Sequence, residues 1–170
     1  MLKSNRFLSL KPLITSFLLC MLILIPLAGC AQTNDPDQST AKTPAVSEIG
    51  DKIGQTVNLT EMKKGDSAKL QKLYDIDPTL VEDFILYTAP SNIKADELAI
   101  IKVKDSNNVE QIKEKLDQRV QAQGTSFKDY LPEEYAIIEK HILKSKGNYV
   151  LLTISKDSAA IEKIFDDMLK

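Results

Sequence analysis

The sequence contains no tryptophan, one histidine and only two cysteines in 170 residues. Both cysteines, Cys20 and Cys30, lie among the first 30 residues. If residues 1–29 are removed as a signal, Cys30 becomes the first residue and the folded part contains no further cysteine. Disulfides, cysteine nucleophiles and cysteine-based zinc sites are then excluded. We therefore expect core packing alone to hold the domain together.

An excess of positive charge is also absent, because the net charge at pH 7 is −2. Residues 1–29 carry Lys3, Arg6 and Lys11 and no acid, so the remainder has a net charge of −5. Nucleic-acid phosphates require a basic face. We therefore expect no nucleic-acid partner, and no binding to an anionic lipid surface by charge alone.

Residues 1–29 have the pattern of an export signal. A basic segment, Met1 to Lys11, precedes an apolar run from Leu13 to Ile25. A helix of about 13 residues spans roughly 20 Å, which is short of the ~30 Å hydrocarbon core of a bilayer. The alternative, a retained transmembrane anchor, is disfavoured by this length and by the flanking residues.

The segment Leu27-Ala28-Gly29-Cys30 resembles the lipobox of bacterial lipoproteins. This resemblance implies cleavage between Gly29 and Cys30 and transfer of a diacylglyceryl group to Cys30. Two acyl chains make attachment effectively permanent, whereas one chain would be reversible. The predicted location is therefore the extracytoplasmic face of the cell membrane, with membrane lipid holding the protein through Cys30.

The rest of the chain divides into a polar tether and a single domain. Residues 30–46 comprise the lipidated cysteine and a stretch rich in Gln, Thr, Asp, Pro and Ser, which is typical of a disordered linker of roughly 20–25 Å reach. Residues 47–170 are predicted to form one domain. It begins with short helical segments between Ser47 and Leu73, and Asp66 is suited to cap the second of them.

Two strand–strand–helix segments follow and form a short internal repeat, in which Asp105-Ser106 before the first helix matches Asp157-Ser158 before the second. Chance similarity between two amphipathic helices is the alternative. The first has strands at residues 84–87 and 98–103 and a helix over 107–123, which Gly124 is expected to end. The second has strands near 139–143 and over 149–154, joined by a tight turn at Gly147-Asn148, and a last helix that Asp157 is expected to cap. This order predicts an α+β fold of two layers, an antiparallel sheet of about four strands with helices on one face.

The two central strands, residues 98–103 and 150–154, carry apolar residues on both faces. Two helices cover only one face of a sheet, so the other face is either covered by the segment before Leu73 or presented to a partner. Aromatic side chains with a polar tip suit the edge of such a surface. The candidates are Tyr87, Tyr130, Tyr135 and Tyr149.

Three short motifs resemble a family of small bacterial lipoproteins, common in Gram-positive organisms, that carry the domain of unknown function 4358. They are Asp96-Glu97-Leu98-Ala99, Phe127 with Tyr130-Leu131-Pro132-Glu133, and Gly147-Asn148-Tyr149-Val150. The resemblance covers Ser67 to Lys170. It implies a membrane-anchored extracellular domain and transfers no activity or catalytic residue, since the family has no assigned chemistry.

Candidate catalytic groups are few. His141 lies in an apolar, strand-like run, which favours a half-exposed structural histidine over a catalytic base. Asp75 and Asp77 resemble the start of a calcium loop, but Leu80 and Leu86 occupy the positions that require glycine and glutamate. We interpret the two aspartates as turn residues.

Adjacent carboxylates are interpreted as solvated faces, because sequence neighbours diverge on a helix or strand. These pairs are Glu82-Asp83, Glu133-Glu134 and Asp166-Asp167. A phosphate-binding glycine loop is absent from the sequence. We predict neither a metal site nor a cofactor, and no enzymatic activity.

The sequence therefore predicts a non-catalytic lipoprotein that binds a protein or a cell-wall component near the membrane. One alternative is a small accessory protein that binds a solute or a metal ion. A hydrolase built on carboxylates is less favoured, and it would require paired acidic side chains in a concave pocket.

Overall fold

A five-stranded antiparallel sheet runs through the part of the chain that the computed structural model describes, residues 43–170. Its strands lie in the order β1-β2-β3-β5-β4. Their bounds are β1 Lys63–Lys64, β2 Val81–Thr88, β3 Glu97–Val103, β4 Ile142–Lys146 and β5 Tyr149–Ile154.

Five α-helices pack against this sheet within the described residues. They are α1 Val46–Gly54, α2 Ser67–Tyr74, α3 Val109–Phe127, α4 Pro132–Ile138 and α5 Ser158–Met168. Single turns of 3-10 helix at Pro78–Leu80 and Ser106–Asn108 precede β2 and α3. The predicted α+β class, its antiparallel sheet and its two strand–strand–helix segments are confirmed.

The helices cover both faces of the sheet, which differs from the predicted two layers. Alternate residues of β3 and β5 point into two separate cores. Ala99 and Leu152 contribute to the core beneath α2, α3 and α4, whereas Ile100 and Leu151 contribute to the core beneath α1 and α5. Because both faces of the central strands are apolar, each needs a covering layer to exclude water. The segment before Leu73 supplies part of that cover, which was one of the two alternatives left open by the sequence.

The two strand–strand–helix segments are not symmetric copies of each other. β3 and β5 are antiparallel neighbours, so a two-fold axis that exchanged them would be perpendicular to the sheet. Such an axis would place α3 and α5 on the same face of the sheet. Instead, α3 contributes Leu116 to one core and α5 contributes Phe165 to the other. The similarity of the two helices in sequence reflects their shared amphipathic pattern.

Helix α3 extends beyond its predicted end at Gly124. It continues to Phe127, whose side chain is buried. A Cβ atom at Gly124 would lie 3.6 Å from the Tyr135 ring. This is an ordinary van der Waals distance, so the contact with α4 does not require glycine. Packing of Phe127 outweighs the weak helix propensity of glycine.

Strand β4 begins later than predicted. Residues 139–140 form a turn, because α4, begun by Pro132, continues to Ile138 and buries it. The strand then comprises Ile142–Lys146 at the edge of the sheet. Its Lys144 pairs with Glu162 and Asp166 of α5. The turn at Gly147, with φ 55°, joins β4 to β5 as expected.

Two of the predicted helix caps have different outcomes. The Asp66 carboxylate accepts a hydrogen bond from Lys69 N at 2.8 Å and caps α2 as predicted. Asp157 occupies the N-cap of α5 but makes no side-chain capping bond. Ser158 Oγ accepts from Ser155 N at 3.1 Å, which ties the first residue of α5 to the residue after β5 but does not cap the helix.

The packed part of the chain includes residues at the end of the predicted tether. Val46 is fully buried at the start of α1. Pro44 O accepts a hydrogen bond from the Tyr149 hydroxyl at 2.6 Å. The signal, Cys30 and the rest of the tether lie outside the described residues. From residue 43 onward, no helix combines the length and apolar character needed to cross a membrane.

Candidate functional site

Polar and titratable side chains converge at one end of the sheet, where β2 leads into β3. The connection between these strands, residues 89–96, is closed by a hydrogen bond from Ala89 N to Asp96 O at 2.8 Å. The C-terminal half of α3 and the start of α4 lie beside it. We call this region the loop end of the sheet.

A buried carboxylate lies at the centre of the loop end. Glu97, the first residue of β3, is 1% exposed. Its Oε1 accepts from the Tyr74 hydroxyl at 2.7 Å. Its Oε2 accepts from Arg119 Nη2 at 2.9 Å and from Gln123 Nε2 at 2.6 Å. We call these four residues the Glu97 network. Its donors offset the high cost of burying a charged carboxylate.

The helices that carry these donors fix their positions. Arg119 and Gln123 are four residues apart on α3, so their side chains emerge from the same face one turn apart. Tyr74 is the last residue of α2. Burial raises the pKa of Tyr74 well above its ordinary value, and the negative charge of Glu97 raises the pKa further. The Tyr74 hydroxyl therefore stays protonated and remains a donor to Glu97.

Glu134 fastens the β2–β3 connection to α4. Its carboxylate is 7% exposed and accepts from Lys94 Nζ at 2.6 Å and from Ala95 N at 2.9 Å. The interpretation of Glu133-Glu134 as a solvated pair is therefore wrong for Glu134, although Glu133 is exposed. A backbone N–H and an ammonium group compensate the buried charge, and only the tertiary fold brings them there.

Asp96 is the acidic residue of the loop end whose pKa is shifted. Partial burial raises the pKa of its carboxyl group, and the nearby Glu134 carboxylate raises that pKa further. Asp96 and Glu97 are neighbours on an extended segment, so their side chains point to opposite faces of the sheet. Asp96 therefore stands apart from the Glu97 network.

A cleft of about 390 Å³ opens on the face of the sheet that carries α2 and α3. We call it the α3-side cleft. Its polar lining includes three members of the Glu97 network, Glu97, Arg119 and Gln123. The other polar lining residues are Lys69, Thr88, Ser91, Asn92, Lys94, Asp96 and Ser126. Leu73 and Phe127 supply apolar surface. Its volume falls within the range of small-molecule pockets.

A second cleft of about 470 Å³ lies at the same end and is lined partly by residues of the opposite face. Val57, Met62 and Ile161 give it apolar walls, and Asp96 and Lys156 give it charge. Both clefts reach the start of β3, since Asp96 and Glu97 line each of them.

An exposed apolar patch adjoins the clefts. Ile93 is 58% exposed and Tyr130 is 84% exposed, and they are the two large hydrophobic side chains left exposed among residues 43–170. Both line a third depression of about 360 Å³ together with Leu131 and Pro132. We call the surface formed by Ile93, Tyr130, Leu131 and Pro132 the apolar patch.

Of the tyrosines predicted to edge an interaction surface, Tyr130 alone is fully exposed. Tyr149 is buried and donates its hydroxyl to Pro44. Tyr87 and Tyr135 are partly buried and pack against the two cores. The second face of the sheet is covered and does not form the predicted surface, and Tyr130 is the most exposed of the four tyrosines.

The remaining candidate residues have structural contacts. His141 precedes β4 and its Nδ1 lies 2.8 Å from Ile138 O. Asp75 ends α2 in the left-handed conformation, with φ 53°, and Asp77 accepts from Thr79 N at 2.8 Å. Their interpretation as turn residues is confirmed. Within the described residues, no three His, Cys, Asp or Glu side chains are grouped to hold a metal ion.

Three of the other adjacent acids, Glu82, Asp166 and Asp167, form ion pairs at the surface, and Asp83 is exposed. Glu82 pairs with Lys102 at 2.7 Å, and Asp166 pairs with Lys144 at 2.9 Å. Lys163 and Lys170 lower the pKa of Asp167 to about 2 by hydrogen bonding to it. The lipidation site, Cys30, and the cleavage site after Gly29 lie outside the described residues.

One residue of the Glu97 network was recognisable from the sequence, but our interpretation missed it. The buried stripe of α3 runs through Ile112, Leu116, Val120, Gln123 and Phe127. Gln123 is the one polar residue in that series, at a position where the helical period requires a buried side chain. A buried polar group needs a partner, so Gln123 indicates a polar contact inside the fold. Nothing in the sequence identifies Glu97 as that partner.

Fold and site together define a small α+β domain with a candidate binding cleft at one end of an antiparallel sheet. Residues 55–155 match the model of a family described as the domain of unknown function DUF4358. The chain belongs to this family, which confirms the predicted domain, although the match spans residues 55–155 and the predicted bounds were Ser67 to Lys170. The matched residues include the whole sheet with α2, α3 and α4, and leave out α1 and α5. No curated protein and no solved structure matches the chain.

Proposed function

We propose that this chain is a lipid-anchored extracytoplasmic protein whose domain binds another protein of the cell envelope and carries out no reaction itself. The proposal begins with the amino-terminal pattern, in which a basic segment, a short apolar run and the Leu27–Cys30 motif follow one another. A diacylglyceryl group on Cys30 would hold the domain beside the membrane. A polar segment of roughly 20–25 Å reach limits its partners to those close to the bilayer.

The apolar patch is the observation that carries the binding proposal. The other large hydrophobic side chains in the described part of the chain are buried or half-buried, so the exposure of both Ile93 and Tyr130 at one place needs an explanation. Tyrosine suits a protein interface because it combines a large apolar area with a polar tip and loses little entropy on ordering. Covering Ile93 and Tyr130 would remove apolar surface from water.

The surroundings of the patch indicate what kind of surface would fit it. Lys94 and Glu134 form an ion pair at 2.6 Å beside Ile93, and Glu133 lies exposed at the start of α4. Leu131 and Pro132 line the same shallow depression as Ile93 and Tyr130. A protein that inserts one apolar side chain between Ile93 and Tyr130 and offers polar groups at the rim would match this surface.

Replacing Cys30 by alanine tests the anchor. Without a thiol, the diacylglyceryl group has no attachment point, so the protein is expected to move from the membrane fraction to the soluble or secreted fraction. The measurement is fractionation of cells followed by intact-mass determination of the purified chain. Cys20→Ala is the matched control and should leave the lipidation unchanged. A wild-type chain that keeps Met1, or carries an unmodified thiol at position 30, would disprove the anchor.

A photo-crosslinking amino acid placed at Tyr130 tests the patch. We expect a discrete crosslinked protein band from intact cells, and the loss of that band when Ile93 is also replaced by aspartate. Thr79, which is exposed and precedes β2 at the opposite end of the sheet, is the control position and should give no such band. Equal crosslinking from positions 79 and 130 would argue against a specific surface, and a ladder of glycan adducts would identify a wall polymer as the partner instead.

The alternative function, a small accessory protein that binds a solute, is supported by the α3-side cleft. The hydrolase alternative has less support, although Glu97 and Glu134 do lie in concave regions. Both oxygens of each carboxylate accept hydrogen bonds from the protein itself. Carboxylates that hold structural bonds are poorly placed to exchange protons with a substrate.

A further inference from the structure

We infer that the α3-side cleft is a binding site for a small carboxylate compound with an N–H group next to the carboxylate, such as an N-acylated amino acid or the C-terminal residue of a peptide. This inference does not depend on partner binding at the apolar patch. It rests on three residues that line the cleft and whose side chains have hydrogen-bonding capacity that the protein does not use fully.

The first group is the Lys69 ammonium. Lys69 lies in the first turn of α2 and donates to Thr88 Oγ1. Among the described residues it forms no ion pair, unlike Lys94 and Arg119, which also line the cleft. An ammonium group has three donors, so Lys69 offers positive charge and further donors to a ligand.

The second group is the guanidinium of Arg119. Its Nη2 and Nε atoms donate to Glu97, while its Nη1 atom makes no hydrogen bond within residues 43–170. The side chain is 24% exposed, and Arg119 lines the cleft. Because Glu97 holds one edge of the guanidinium, the other edge is kept in a fixed orientation. A carboxylate is the anion that suits such a planar donor beside an ammonium group.

The third group is the Gln123 side-chain oxygen. Gln123 is 6% exposed and its Nε2 donates to Glu97. This bond fixes the orientation of the amide, because a carboxylate accepts only from the nitrogen. Oε1 is buried and has no hydrogen-bond partner among the described residues. An unpaired buried acceptor is unfavourable, so a ligand that brings an N–H donor to Gln123 would be favoured.

Together these groups specify the ligand class. Lys69 and Arg119 favour a ligand with a negatively charged acceptor. Gln123 favours a ligand that also has a hydrogen-bond donor next to that acceptor. Leu73 and Phe127 leave apolar wall for a small side chain or acyl group. A cleft of about 390 Å³ accommodates a compound of this size. Phosphate and sulfate would satisfy the cations, but they bring no N–H group for Gln123.

The test uses the full chain extracted from membranes in detergent and three small probes that differ by one group each. N-acetylglycine has the carboxylate and the N–H, N-acetylsarcosine has lost the N–H, and N-acetylglycinamide has lost the charge. We expect N-acetylglycine to raise the thermal midpoint progressively with concentration. Each of the other two probes should bind roughly tenfold more weakly, as expected for the loss of one hydrogen bond to a buried or charged group.

The cleft itself is tested by a pair of variants on α3. Ser126 lines the cleft and Thr125 does not, and both are exposed side chains whose hydroxyls donate to the carbonyl four residues earlier. Ser126→Phe is expected to fill the cleft and abolish the response to N-acetylglycine, and Thr125→Phe should retain it. Lys69→Met provides a second test that introduces no bulk, with an expected loss of roughly tenfold in affinity.

Several results would overturn the inference. They are no response of the wild type to N-acetylglycine at millimolar concentration, equal binding of all three probes, or binding that survives in both Ser126→Phe and Lys69→Met. Crosslinking from position 130 should be unaffected by Ser126→Phe. Failure of the cleft and failure of the patch can therefore be told apart.

Discussion

Replacing Arg119 by methionine is expected to lower the free energy of unfolding by about 3 kcal/mol. Glu97 is 1% exposed and Arg119 supplies its only cationic partner within the described residues. Removal of the guanidinium would leave a buried carboxylate whose charge is not balanced, while methionine preserves most of the side-chain volume. Urea unfolding of the two proteins at pH 7 measures the difference.

Lys113→Met is the matched control, because Lys113 lies on the same helix and pairs with Glu110 at 3.1 Å across an exposed surface. Exposed pairs of this kind contribute only about 0–1 kcal/mol. Adding Glu97→Gln to Arg119→Met should recover part of the lost stability, since the second change removes the unbalanced charge. Equal losses for Arg119→Met and Lys113→Met would contradict the account of Glu97 as a buried charge that depends on its partner.

Replacing Phe165 by alanine is expected to destabilise the domain by about 3–5 kcal/mol. Phe165 is fully buried in the core between the sheet and the layer formed by α1 and α5. Truncation removes a large apolar surface and leaves a cavity that rigid β-sheet neighbours fill poorly. The measurement is again the free energy of unfolding in urea, with the slope checked to confirm that the compactness of the native state is unchanged.

Ile93→Ala serves as the control for Phe165→Ala, because it removes apolar atoms from an exposed side chain of the apolar patch. Its expected effect is within about 0.5 kcal/mol. A small effect at Phe165, comparable with that at Ile93, would mean that α5 is not packed against the sheet. The assignment of helices to both faces would then be wrong.

Strands and helices with a clear period were predictable from the sequence. The apolar runs that became β3 and β5, and the stripe of α3, follow from local side-chain spacing, which each segment carries within itself. Element ends were less predictable. Gly124 is a favourable helix terminator, yet α3 continues past it because Phe127 gains more from burial than the helix loses at glycine.

The number of helical layers could not be deduced from the sequence, although the apolar residues that require two layers were visible in it. Apolar residues on both faces of β3 and β5 required cover on both sides, and the sequence does not state which helix goes to which face. α3 and α5 have similar patterns and similar preceding residues, yet they pack on opposite faces. Their placement depends on which arrangement buries the most apolar surface over the whole domain, and this is a property of the assembled chain.

The candidate site depends on contacts between distant parts of the chain. Glu97 meets Tyr74, Arg119 and Gln123 across separations of 22 to 26 residues. Glu134 reaches Ala95 across 39 residues. In the sequence, Glu97 and Glu134 cannot be distinguished from solvent-exposed acids. The residues next to a glutamate in the chain do not show whether its carboxylate will be buried.

By itself, the sequence determines the α+β class, the family to which the domain belongs, and the amino-terminal pattern on which the proposed anchor rests. These follow from residue type and short-range spacing. Tertiary structure alone decides that both faces of the sheet are covered, that Glu97 is buried, and that Lys69, Arg119 and Gln123 line one cleft. The physical reason is that burial and charge pairing are set by neighbours far apart in the chain, which only the folded molecule brings together.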